Sequence, residues 1–102
     1  MIDLGILPGM ICSTAFSINN HEQVVGDTAS GLLAGGNCQF DGPPFISEHG
    51  QPMVLLTSLI APGSNLDLLD ATEINDRGEI ACQGLDPDGN LHACLLVPID
   101  RR

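Results

Sequence analysis

Two stretches of the chain follow one pattern, 56 positions apart. The first runs Ile18-Asn19-Asn20-His21-Glu22-Gln23-Val24-Val25-Gly26, and the second Ile74-Asn75-Asp76-Arg77-Gly78-Glu79-Ile80-Ala81-Cys82. Asparagine tolerates positive φ and its side chain bonds nearby backbone, so Asn between two β-branched runs marks a hairpin turn. Gly78 suits the last position of a turn that closes in a left-handed bulge. The first copy has Glu22 there, at a cost of about 1 kcal/mol unless Asn20 or His21 takes the strained position instead. The likeness extends outward. Ala15 matches Ala71, Pro8-Gly9 upstream matches Pro62-Gly63, and 43–48 downstream corresponds to 92–97. A chain of 102 residues that repeats itself in this way is restricted to short strands joined by turns.

The remaining residues fit that restriction. Twelve glycines and seven prolines favour many short elements over long helices. With no Trp or Tyr, a core must be built from Leu, Ile, Val and Ala around Phe16, Phe40 and Phe45. The pattern predicts strands at 14–19, 23–28, 44–48 and 52–57 in a first unit, and at 70–75, 79–85 and 91–97 in a second. Glu48-His49-Gly50-Gln51 and Asp86-Pro87-Asp88-Gly89-Asn90 are the turns within the later hairpins. A short helix capped by Ser64 or Asn65 competes for 64–74. The expected architecture is all-β: one domain, 1–102, of two four-stranded antiparallel blade-like units at about 6–59 and 60–98. The second unit, one strand short, is completed by residues 1–5 of the same chain or a neighbouring one. One compact barrel or sandwich of eight strands is the rival.

The quoted residues resemble the HAF-repeat family, whose pattern joins Asp-Leu-Gly, Ile-Asn, Val-Val-Gly and His-Ala-Phe-Leu. Here these are Asp3-Leu4-Gly5, Ile18-Asn19, Val24-Val25-Gly26 and His92-Ala93-Cys94-Leu95, with Pro43-Pro44-Phe45-Ile46 as the first copy of the last. The chain departs from the pattern at Glu22 and Cys82, where the family has Gly, at Cys94, where it has Phe, and in having no Trp. The resemblance implies a β-propeller-like array of four-stranded blades, often in exported bacterial proteins, and carries no catalytic residue. Two blades cannot close a ring, so their exposed faces and edges imply a homo-oligomer with the N-terminal strand exchanged between subunits.

Thirteen acidic residues against three arginines give a net charge of −10, which disfavours nucleic acid and anionic membranes as partners. No apolar run approaches the roughly 18 residues that span a bilayer. No basic residue precedes the first apolar ones, so a cytoplasmic location is expected, or an exported one if the chain is part of a larger protein. The four cysteines contain no Cys-x-x-Cys and read as small buried apolar residues of a reducing compartment. Cys82 and Cys94, on strands joined by one hairpin turn, are the pair placed for a cross-strand disulfide under oxidising conditions.

No residue constellation here defines a reaction. Asp86, Asp88 and Asn90 have the spacing that opens a calcium loop, but the twelfth position is Val97 in place of Glu, and an ordinary Pro-Gly turn explains them. His21, His49 and His92 have no metal-ligand or triad spacing, and no metal or other cofactor is expected. The long loop 29–43, with Leu32, Leu33, Phe40 and Asp41 and the nearby His49, is the candidate contact surface for a ligand or partner. The function these residues imply is a non-catalytic binding or assembly module. The alternative is a small enzyme with a pocket at a subunit interface near 29–43, for which Asp27, Asp41 and His49 would be tested first.

Overall fold

The computed structural model describes residues 3–33, 35–40, 42–49, 51–60 and 66–99. Among them there is no α-helix, and every sheet is antiparallel. The first sheet has the order β1 (Cys12–Ile18), β2 (Gln23–Ala29), β5 (Phe45–Glu48), β6 (Val54–Leu55). A two-stranded ribbon, β3 (Gly31–Leu32) with β4 (Cys38–Gln39), stands within the loop between β2 and β5. The second sheet is β7 (Asp67–Ile74), β8 (Ile80–Leu85) and β9 (Leu91–Leu96), in chain order.

Three hairpin turns are built alike. Asn19 Oδ1 accepts the His21 and Gln23 amides, each at 3.0 Å. Asn75 Oδ1 accepts those of Arg77 and Glu79 at the same distance, and Asp86 Oδ1 those of Asp88 and Asn90 at 2.9 Å. The fourth residue of each turn has positive φ: Glu22 at 60°, Gly78 at 79° and Gly89 at 86°. The strain therefore falls on Glu22 itself and not on Asn20 or His21. The Glu22 carboxylate meets His49 Nδ1 at 2.8 Å, a solvent-exposed pair that offsets little of that cost.

The two larger sheets pack face to face. Val25, Ile46 and Leu56 come from one side, and Leu68, Ala71, Ile74, Ile80 and Cys82 from the other. Alternation on β2 turns Val25 inward and Val24 outward. Where the sheets meet, Asp27 Oδ1 accepts the Ala71 amide at 3.3 Å and Ser17 Oγ accepts the Ile74 amide at 3.2 Å. Both donors lie beside the irregularity at Ala71/Glu73, where the β7 ladder shifts register.

Several expectations need correction. The helix offered for 64–74 gives way to strand in β7, although Ser64 and Asn65 lie outside the described residues. The strand drawn over 52–57 is only Val54–Leu55, because 56–59 winds into a 3-10 turn in which Ser58 Oγ donates to the Leu55 carbonyl at 2.7 Å. Residues 3–10 form no strand, so their part of the closing segment 1–5 adds nothing to the second sheet within this chain, and Met1 and Ile2 lie outside the described residues. The cysteines are not free thiols. Cys12 is disulfide-bonded to Cys38, tying β1 to β4, and Cys82 to Cys94, its direct opposite across β8 and β9.

Candidate functional site

The first two turns lie side by side at one end of the stacked sheets. Asn19 Nδ2 donates to the Asn75 carbonyl at 2.9 Å, while the Asn20 amide and Nδ2 donate to the two Asp76 carboxylate oxygens at 2.8 and 2.7 Å. Residues 56 apart thus bond each other, one turn against its counterpart. Around them is an open pocket of about 310 Å³ lined by His21, Glu48, His49, Asp76 and Arg77 among others. Its polar groups already have partners within the chain. Asp76 is held by Asn20, Glu48 accepts from Gln23 Nε2 at 3.4 Å, and His49 pairs with Glu22. No hydroxyl, thiol or amine is among its lining side chains, whose titratable groups are two histidines, two carboxylates and Arg77.

A larger and mostly apolar cleft of about 630 Å³ runs along β9. One wall is Ile46, Leu56 and Ile60; the other is Leu96, Val97 and Ile99. Among the described residues β9 pairs only with β8, so the cleft borders an open strand edge.

The residues singled out from sequence do not converge. Leu32 and Leu33 are exposed on and beside the β3–β4 ribbon, Phe40 is exposed just past it, and Asp41 lies outside the described residues. His49 stands instead at the paired turns. Asp27 is four residues along β2 from Gln23, the partner of Glu48, which puts it roughly 13 Å from that end of the sheet. Asp86, the candidate calcium ligand, spends Oδ1 on two backbone amides, and its Oδ2 meets His92 Nε2 at 2.7 Å. Those contacts, the histidine first, hold its carboxyl below the usual range. Asp88 and Asn90 contribute backbone amides to the same turn. No group of three ligating side chains occurs among the described residues.

The sequence reading did not single out the burial of Asp27, or Asp70 as a charge that acts on it. Asp27 is only 6% exposed, and Asp70 Oδ1 is buried with no hydrogen-bond partner among the described residues. Burial pushes the Asp27 carboxyl up to about 6, the Ala71 amide counters, and the Asp70 charge adds to the rise. An Asp directly after Val-Val-Gly was the available signal. Because the folded value lies above the unfolded one, charged Asp27 opposes folding above pH 6, and that penalty disappears as the pH falls toward 4. The Asp27 contribution alone should therefore favour folding at pH 4.5 over pH 7 by about 2 kcal/mol, against an opposite contribution from Asp86, whose carboxyl is lowered. Asp27→Asn, whose amide oxygen can still accept from Ala71, should be more stable than wild type at pH 7 and lose the acid-side gain. Urea midpoints at both pH values measure this, and equal pH dependence in the two proteins would refute it.

None of the protein-family models, curated proteins or solved structures compared with the chain matches it.

Proposed function

We propose that the protein is a non-catalytic assembly module, built from two divergent HAF-like β repeats, that binds further copies of itself. The observation that carries this reading is the arrangement of the paired turns. Asn19 and Asn20 bond to Asn75 and Asp76, their counterparts 56 residues on, so the two units stack in the same sense. Stacking in one sense leaves the outer side of the second sheet and the β1 margin of the first uncovered, while Phe45, Ser47 and Thr28 on the outer side of β2 and β5 are buried within the chain. Ile18 and Phe16 are exposed on the first unit, and Leu69, Leu91, Leu95 and Val97 on the second. So much exposed large apolar surface on a small chain is a mark of association.

The open edge of β9 supports a second contact of the same kind. The cleft beside it is where a fourth strand would lie, in the place that β6 holds beside β5 in the first sheet. Residues 1–5 of a neighbouring copy are our candidate for that strand. The two disulfides support an oxidising compartment, and with it the exported alternative, over the cytosol. The enzyme alternative has less behind it, because Asp27 and His49, two of the residues it would rest on, lie apart.

Sedimentation of the oxidised protein at tens of micromolar tests the reading. A mass above the 10.7 kDa of one chain supports it, and a monomer at every concentration would remove it.

A further inference from the structure

Going beyond self-association, we propose that the open edge of β9 docks an extended segment of a different protein, apolar at alternate positions and carrying Lys or Arg at its N-terminal end. Paired positions on an antiparallel ladder alternate between those that exchange hydrogen bonds and those that do not. Asp86 N donates to the Asn90 carbonyl at 3.0 Å, and the β8–β9 register then runs unbroken to Ile80↔Leu96. Counted from that bond, His92, Cys94 and Leu96 turn their backbone groups toward β8, whereas Leu91, Ala93 and Leu95 turn N–H and C=O away from it. Among the described residues no strand lies on that side. Those amides and carbonyls are free to pair with one further strand. The other outer strands are less suited. β1 and β7 each carry register shifts, and β6 is only two residues long.

The apolar cleft decides the side chains of that strand. It lies beside the Leu95 end of β9 and faces Leu56 and Ile60. A strand added here directs every second side chain into the cleft, so those positions must be apolar. Among the described residues that line it, Glu48 is the one with a charge. Glu48, Gln23, Gly78 and Pro98 also line the polar pocket, so the two hollows join at the paired turns. Gln23 is held there. Its Oε1 accepts Asn19 Nδ2 at 2.7 Å, and its Nε2 reaches Glu48 Oε2 at 3.4 Å. That second contact is long, and it leaves the Glu48 carboxylate able to accept from a cation.

Every ladder among the described residues is antiparallel, and antiparallel pairing is the more stable kind. An antiparallel strand beside β9 begins where β9 ends, so its first residue comes to the Glu48 end of the cleft. A basic residue there meets a carboxylate, and the net charge of −10 speeds its encounter. The chain itself is a poor source of such a strand. It has no lysine, Arg77 is paired with Glu79 at 3.5 Å, and residues 1–5 carry Asp3 and no arginine. Residues 1–5 of a neighbouring copy and the foreign segment use one edge and exclude each other, and charge favours the foreign one.

Fluorescence anisotropy with the full-length protein tests the proposal. The probe is the peptide Lys-Ile-Thr-Val-Thr-Val, with blocked ends and a fluorophore at its C-terminus. It should bind, and replacing its Lys by Glu should weaken binding about tenfold. Glu48→Lys should reverse that preference. Ala93→Pro removes an edge amide at an exposed position and should abolish binding while leaving the circular dichroism spectrum unchanged. Should that variant lose the wild-type spectrum, two peptides N-methylated on one or the other alternate set of residues replace it, and only one of them should bind wild type. The inference falls if the Lys peptide does not bind, if the Lys and Glu peptides bind equally, or if binding ignores both Ala93→Pro and N-methylation. Self-association is read separately by sedimentation. A monomer that binds the peptide removes the assembly reading and keeps this inference, and an assembled protein that ignores the peptide does the reverse.

Discussion

Full reduction of the two disulfides should lower the melting temperature by roughly 20 °C or more, at about 4 °C or more per kcal/mol lost from a domain of this size. The Cys12–Cys38 bond closes a separation of 26 residues and Cys82–Cys94 one of 12. Loop-closure entropy puts their contributions at about 3.5 and about 3 kcal/mol. Together that approaches the lower end of the ~5–15 kcal/mol that holds a typical domain folded. The long bond has the greater structural consequence. Without it, the loop between β2 and β5 is anchored only near its ends, by the Ile11 N to Ala29 O bond at 2.8 Å where it leaves β2 and by Gly42 N to Thr28 O at 3.0 Å where it returns. Melting with and without reductant checks this, with Cys12→Ala/Cys38→Ala and Cys82→Ala/Cys94→Ala to separate the two effects. An unchanged melting temperature after complete reduction would contradict it.

Gly26→Ala should destabilise the fold by at least about 3 kcal/mol. A Cβ at Gly26 would lie 1.9 Å from the Thr14 carbonyl oxygen and 2.9 Å from Phe45 Cε2. Phe45 is 1% exposed and has nowhere to retreat, and the Thr14 oxygen belongs to the strand hydrogen-bonded to β2. The substitution must therefore part β1 from β2 or tilt Phe45 into its neighbours. Gly26 is required for close approach and not for an unusual backbone conformation. The corresponding place in the second sheet is Cys82, opposite Ala71, and β7 has there an additional register shift at Leu68/Asp70 that β1 lacks. A denaturant midpoint close to that of wild type would show that β1 yields more easily than this argument allows.

What could be read from the sequence was what local chemistry decides. Asn19, Asn75 and Asp86 each specify their own turn through side-chain bonds to residues two and four further on, so all three hairpins were legible. The end of β6 was not, because Ser58 competes for backbone that apolar alternation assigns to a strand. Neither was the partner of Cys12, since nothing nearby selects Cys38 and the β3–β4 ribbon that presents it lies within a Gly-rich stretch. Asp27 looked like a residue beside a functional loop. Its role at the contact between sheets depends on Ala71, 44 positions away, and no pattern along the chain reports that distance.

The amides of Ala71 and Ile74 bond to side chains of the other sheet, while the three turns hold themselves together without it. Each hairpin can therefore zip up within its own short span, and the slow event in folding is the collision of two preformed ribbons. Pulse-labelled hydrogen exchange during refolding should find the Ala71 and Ile74 amides among the last to gain protection, after the ladder amides of β8. Early protection at those two sites would mean that the ribbons meet before they are made.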